Sequence, residues 1–305
     1  MKKILIIAAA VFALVSCNKE VTAPAEEVTV TVAVNMPVEV STKAIADGLS
    51  ATKLYYEVWS EDKMTRFYRG TKNLVVRETT VEFNLVKNQT YNILFWAQNP
   101  AADFYGIDDE DGLSVIQMNY SGTPATATTS ATGVVANDES RDAFYNNELQ
   151  NLLVTGPVKK DITLMRPFAQ VNFGTTEEDV QAASLIGGMY PTRSKVTFSV
   201  ALPTVLNLFS GEVSGEQIIS YDYTAFPDPE TDGYLEVDKD GDGEDEKYLY
   251  LSMNYVLVNQ TESITADVTA NVEIFSSVDK DEDGNDVQQS DVILGEHFVV
   301  SGHRE

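Results

Sequence analysis

A period of two governs this chain. Val28, Val30, Val32 and Val34 alternate with Thr29, Thr31 and Ala33, which places one set of side chains on each face of an extended strand. Leu54, Tyr56 and Val58 repeat the pattern, as do Val81, Phe83 and Leu85. Val196, Phe198, Val200 and Leu202 form another run, closed by Pro203. Apolar, β-branched stretches also cover Tyr248 to Val258, Ile264 to Phe275 and Val292 to Val300. Turn signals such as Asp47-Gly48, Lys87-Asn88, Asp111-Gly112 and Asp283-Gly284 punctuate these runs. Many short strands spaced in this way predict an all-β chain built of sandwiches. Helical pattern is confined to Thr176–Ser184, with a threonine cap and an acidic first turn, and to Asp142–Leu149.

The N-terminus carries an address. Lys2 and Lys3 precede an apolar run from Ile4 to Val15, and Leu14-Val15-Ser16 leads into Cys17, the only cysteine in the chain. The run is shorter than the roughly 20 residues that span a bilayer. Its order of basic start, apolar stretch and small-residue exit reads as a secretory signal over residues 1–16. The motif ending in Cys17 resembles the bacterial lipobox, which implies cleavage before Cys17 and lipidation of its thiol and amine. The alternative is an ordinary secretory signal with an incidental thiol. With one cysteine, no intramolecular disulfide can form, so stability must come from the core and the sheets. Asn18 to Glu27 is polar and holds Pro24, as a tether between lipid and fold would. Ser121 to Gly133, rich in Thr, Ala, Ser and Gly, reads as an exposed loop.

The formal charge is -26, and removal of the signal takes two lysines with it. Such a surface is repelled by phosphate backbones, so nucleic-acid partners are excluded. The acidity serves either solubility or an acidic binding face.

Catalytic chemistry is poorly supplied, and an enzyme is not expected. His297 sits in a strand-like run and His303 lies close to the end of the sequence. Paired carboxylates could hydrolyse glycosides, but among 47 acidic residues no pair stands out. Two acidic loops are more specific. Asp238-Lys-Asp240-Gly-Asp242-Gly243 and Asp279-Lys-Asp281-Glu-Asp283-Gly284 both read D-x-D-x-D-G. Alternating carboxylates converge on a hard cation, and the glycine permits the turn that wraps it. Neither is an EF-hand, because the twelfth positions are Leu249 and Ser290. Both join strand-like runs as hairpin tips, with Asp245, Glu246, Asp286 and Asp291 at hand as further ligands. Each is either a Ca2+ site or a solvated acidic turn; no other cofactor is indicated, and none is required. Trp59, Trp96, Tyr55 and Tyr56 are either core residues or a stacking surface for sugars.

Several stretches resemble the fimbrillin family of Bacteroidetes, the lipoprotein type V pilins. They are Ser41-Thr-Lys43-Ala44-Ile-Ala-Asp-Gly48 followed by Lys53-Leu-Tyr-Tyr-Glu-Val58; Asp161-Ile-Thr-Leu-Met-Arg166-Pro-Phe-Ala-Gln-Val-Asn-Phe173; and Ser194-Lys-Val-Thr with Pro203-Thr-Val-Leu-Asn207 and Gly211-Glu-Val-Ser214. The resemblance implies two transthyretin-like β-sandwich domains, over 44–165 and 166–305, after a lipidated tether and removable first strand over 17–43. It also implies proteolytic processing between Lys43 and Ala44 at the outer membrane, where the best-known members carry arginine. Loss of the first strand would open a groove that a neighbouring pilin subunit fills by strand addition. Family stalk subunits end in a further donor strand, and this sequence stops at Ser301-Gly-His-Arg-Glu305. Two alternatives stay open: the sequence is a truncated one whose C-terminal domain lacks its last strand, or the subunit is not a stalk donor and accepts without donating. The runner-up is a cell-surface glycan-binding lipoprotein, recognisable by a retained first strand and an exposed Trp59 or Trp96. Localisation at the outer membrane or in a fimbria follows from the resemblance; the adhesion ligand does not.

Overall fold

The computed structural model describes residues 25–37, 48–107, 112–120, 136–179, 181, 191–198, 201–238, 240–258, 270–280, 286–292 and 299–303. They form an all-β protein of several small sheets. No helix among them is long and apolar enough to cross a membrane.

The first sheet has three strands in the order β10-β1-β4: β1 (Glu27–Asn35), β4 (Glu78–Val86) and β10 (Val158–Thr163). β1 runs antiparallel to β4, with Val30 opposite Phe83, and parallel to β10, with Val30 opposite Val158. The second sheet is ordered β3-β2-β5-β8, from β2 (Lys53–Ser60), β3 (Arg66–Asn73), β5 (Gln89–Gln98) and β8 (Ala143–Asn146), with β9 (Leu152–Val154) also on β5. One core lies between these two sheets. Val30, Val32 and Val34 of β1 and Val81 and Phe83 of β4 meet Leu54 and Tyr56 of β2 and Ile93 and Phe95 of β5 there. The alternation seen in the sequence thus becomes one buried face per strand.

The second sheet is covered on its other side as well. Trp59, Leu94, Trp96 and Tyr145 belong to a second core. That core is shared with a sheet ordered β14-β13-β7-β6, from β6 (Tyr105–Gly106), β7 (Val115–Met118), β13 (Val205–Asn207) and β14 (Val213–Ser214). Its pairing of β7 with β13 joins strands on either side of residue 165. The same core takes in Phe168 of β11 (Phe168–Thr175), Phe198 of β12 (Pro191–Phe198), Tyr221 of β15 (Ser220–Ala225) and Tyr255 of β17 (Glu246–Leu257). The fourth sheet is ordered β16-β17-β11-β20, with β16 (Leu235–Val237) and β20 (Val299–His303); the fifth is β15-β12-β18-β19, with β18 (Ala270–Lys280) and β19 (Asp286–Val292).

One local expectation changes. The helix predicted over Asp142–Leu149 is not formed: Glu139–Arg141 make one 3-10 turn and Ala143–Asn146 pair with β5. All four residues of β8 are buried, so pairing in a covered sheet outweighs the weak helical pattern. Of the run Val292 to Val300, Val292 ends β19 and Val299 begins β20; residues 293–298 lie outside the described residues. In Thr176–Ser184, residues 177–179 and 181 are helical, and the Thr176 hydroxyl caps them by accepting from the Asp179 amide at 3.1 Å; the remainder lies outside the described residues.

One buried ion pair and one buried carboxylate with partly exposed arginine partners secure this architecture. Arg166 binds Asp142 through Nε at 2.7 Å and Nη2 at 3.0 Å, tying β8 to the entry of β11. Glu57 in β2 is fully buried. Its carboxylate accepts from Trp59 Nε1 at 2.9 Å, the Leu113 amide at 2.9 Å and Arg66 Nη1 at 3.1 Å, with Arg69 Nε at 3.4 Å. Gly112 lies against this cluster at φ +61°, where a Cβ would fall 2.4 Å from the Glu57 carboxylate. Gly112→Ala is expected to lower Tm by roughly 5 °C, from backbone strain and displacement of the pair. An unchanged calorimetric Tm would show that the carboxylate yields freely.

Candidate functional site

β1 is the first candidate. Its four valines are buried, Val30, Val32 and Val34 completely, while its threonines turn outward. Thr29 bonds Asn84 at 3.1 Å and Asn35 bonds Asp161 at 2.5 Å. At its start, Lys87 pairs with Glu26 at 2.9 Å. At its end, the Met36 amide donates to Arg77 O at 2.9 Å, and Arg77 Nη1 donates to Pro37 O at 3.2 Å. β1 therefore has backbone partners on both sides and a wholly apolar inner face. Without it, β4 and β10 would face each other across a cleft with unpaired N–H and C=O groups on both walls. Cys17, Lys43 and Ala44 lie outside the described residues.

The second candidate is the hairpin between β16 and β17. Oxygen atoms of Asp238, Asp240, Asp242 and Glu246 all come within 4.8 Å of one another. The tip is folded by its own carboxylates. Asp238 accepts from the Gly241 amide at 2.6 Å, the Asp242 amide at 3.1 Å and the Gly243 amide at 2.9 Å. Asp242 accepts from the Glu244 amide at 2.8 Å. Gly241 and Gly243 take φ values of +78° and +93°, which glycine adopts without a Cβ penalty. Four carboxylates gathered in this way can hold a hard cation. Glu246, one of several later ligands the sequence left open, is the one that joins them.

Beside the hairpin is an open groove of about 600 Å³, lined by Thr176, Glu177, Tyr234, Glu246, Lys247 and Tyr248 among others. Desolvation raises the Tyr248 hydroxyl above its ordinary pKa, and the Glu246 and Asp240 carboxylates add to the shift. In the second acidic loop, Asp279 belongs to β18, which pairs with β19 as a hairpin; Asp281 and Asp283 lie outside the described residues.

The tryptophans do not form a stacking surface. Trp96 is completely buried and donates to Gln98 at 2.7 Å; Trp59 is nearly so and donates to Glu57. Tyr56 is buried beside Tyr68 and Phe83, and Tyr55 is half-buried under the Lys53 ammonium at 5.0 Å. His303 pairs with Gln170 through the backbone of the fourth sheet, and His297 lies outside the described residues. The acidic hairpin is the one convergence of metal-binding side chains among the described residues, and no catalytic constellation accompanies it.

A family model described as a family of unknown function (DUF6562) matches residues 21–290. No curated protein matches the sequence. Among solved structures, the chain is similar to a candidate polysaccharide-binding protein from Bacteroides thetaiotaomicron, with 11% identity and a TM-score of 0.41, covering 85% of this chain and 78% of that one. It is similar to a candidate adhesin from Bacteroides ovatus, with 10% identity and a TM-score of 0.40, over 94% and 91% of the two chains. It is also similar to the tip fimbrial protein Mfa3 from Porphyromonas gingivalis in a C-terminally truncated form, with 11% identity and a TM-score of 0.40, over 91% and 99%.

Proposed function

We propose that this chain, which belongs to the family of unknown function DUF6562, is a surface lipoprotein that serves as a subunit or accessory of an adhesive fibre. In this reading Cys17 carries the lipid that delivers it to the outer membrane, and its strands make two transthyretin-like sandwiches. Cleavage between Lys43 and Ala44 separates β1 from the rest, and a neighbouring subunit's strand takes its place. The observation that carries the reading is the placement of β1, which lies between β4 and β10 with its valines in the core and precedes Lys43 in sequence. A strand so placed leaves behind a groove of matching chemistry, with backbone groups for affinity and alternate pockets for register.

Mass spectrometry of the protein from cells tests it. The expected mature N-terminus is Ala44, in ladders that survive mild denaturant. A lipidated Cys17 N-terminus with residues 18–43 retained on a monomeric protein would refute assembly by strand exchange. Trp59 and Trp96 are buried, so a glycan-binding lipoprotein, the alternative reading, would have to bind through other residues.

The reading includes Ca2+ at the β16–β17 hairpin, held by Asp238, Asp240, Asp242 and Glu246. Exposed extracellular sites of this kind bind with Kd on the order of 0.1–1 mM. Isothermal titration of CaCl2 is expected to give saturable heat that Asp240→Ala abolishes. Equal heats from both proteins would end the assignment.

A further inference from the structure

The last residues of β1 touch a turn whose backbone is strained. Residues 75–78 join β3 to β4 by a tight reversal, in which the Val75 amide donates to Glu78 O at 2.9 Å and the Glu78 amide to Val75 O at 3.2 Å. The two central residues, Val76 and Arg77, take φ values of +52° and +69°. Two-residue reversals with positive φ at both centres are built from asparagine, aspartate and glycine. Valine is a poor substitute, because its branched Cβ crowds the backbone in this region. The other non-glycine residues with positive φ among those described are Lys63, Asn88, Asn137 and Asn151, so Val76 is the one β-branched member. Packing does not account for it, since Val76 is 89% exposed. A residue that breaks a local rule with no gain in burial points to a strained or functional position.

β3 and β4 do little to fix the turn. They belong to different sheets, and Val75 opposite Glu78 is an isolated bridge rather than the end of a ladder. The end of β1 supplies further contacts. Asn35 lies opposite Glu78, the Met36 amide donates to Arg77 O at 2.9 Å, and Arg77 Nη1 donates to Pro37 O at 3.2 Å. A backbone conformation of this cost persists where surrounding contacts over-determine it. The start of β1 differs. It meets the other end of β4, where the Lys87 amide donates to Glu26 O at 2.8 Å. The positive φ of that turn, +62°, falls on Asn88, a residue type that tolerates it. Of the two turns that flank β4, the strained one is therefore at the end of β1.

We propose that the Val76–Arg77 turn is a strained latch: the end of β1 keeps it in its left-handed conformation, and its relaxation favours opening of β1 from that end. Strain present in the closed state and relieved in the open one lowers the free energy of local opening. β1 thus has a direction of release, from Met36 toward Glu27. That end is the one nearer Lys43 in the chain. A replacing strand would enter there, a step that rests on the exchange proposed above; the opening itself does not.

Hydrogen exchange on the uncleaved full-length chain, resolved by residue, tests the latch. Val76→Asn relieves the strain at an exposed position and leaves the contacts of β1 in place. The Met36 amide should then exchange roughly tenfold more slowly, the factor that corresponds to about 1.4 kcal/mol. Amides at the start of β1, residues 28–30, and those of Ile93 to Trp96 in β5 should change by less than about twofold, because their opening does not involve the turn. Unchanged exchange at Met36 would show that opening relieves no strain. Equal slowing at Met36 and in β5 would show that the strain is released only when the whole protein unfolds. Either result overturns the latch. The chain in this experiment is never cut, so its outcome is independent of the mature N-terminus found by mass spectrometry.

Discussion

A chain from which residues 25–37 have been deleted is expected to lose the packing of its first two sheets, and to recover it on addition of a synthetic peptide of residues 26–36. The four buried valines of β1 alone are worth on the order of 6 kcal/mol by area transferred from water. Their loss also strips backbone partners from two strands. That total is comparable with the whole stability of an ordinary domain, about 5–15 kcal/mol. The deleted chain should aggregate or bind hydrophobic dyes, because Val81, Phe83, Leu54 and Ile93 would line an open cleft. Near-UV circular dichroism and gel filtration would follow the recovery. A peptide carrying Val30→Asp and Val32→Asp should not rescue, because each aspartate would be driven into a dry core. Rescue by that peptide, or a deleted chain that stays folded and monomeric, would mean that β1 does not fill a groove of its own.

Glu57→Ala is expected to destabilise the protein by about 3 kcal/mol, the low end for breaking a buried ion pair, because its arginine partners are partly exposed. Trp59 Nε1 and the Leu113 amide would lose their acceptor in the core, and Arg66 and Arg69 their shared counter-charge. Thermal unfolding should show Tm lower by roughly 10 °C. Combining it with Arg66→Met should cost less than the sum of the two single changes, because they share one ion pair. Strictly additive losses would mean that the pair itself contributes nothing. No helical or strand periodicity announces Glu57. It is an acidic residue in a strand whose apolar neighbours are more conspicuous, and its partners Arg66 and Leu113 come from other elements.

The acidic hairpin was legible to the extent that its ligands are local. Asp238, Asp240 and Asp242 lie within one turn, so their spacing forecasts their convergence. Glu246 begins β17, and whether it points back to the tip depends on the phase in which that strand leaves the turn. The sequence offered it only as one choice among several.

Alternation by itself determined that this chain is β, and which residues of β1, β2 and β4 share a face. That information is local, because the pleat repeats every two residues whatever lies opposite. It could not determine whether a strand's second face is covered, since coverage depends on which other sheets arrive there. β5 illustrates the difference: Ile93 and Phe95 enter one core and Leu94 and Trp96 another. Only the tertiary structure decided that Trp59 and Trp96 are interior and that Ala143–Asn146 extend as a strand. Each of these outcomes is a contact between segments far apart in the chain, set by how the sheets stack.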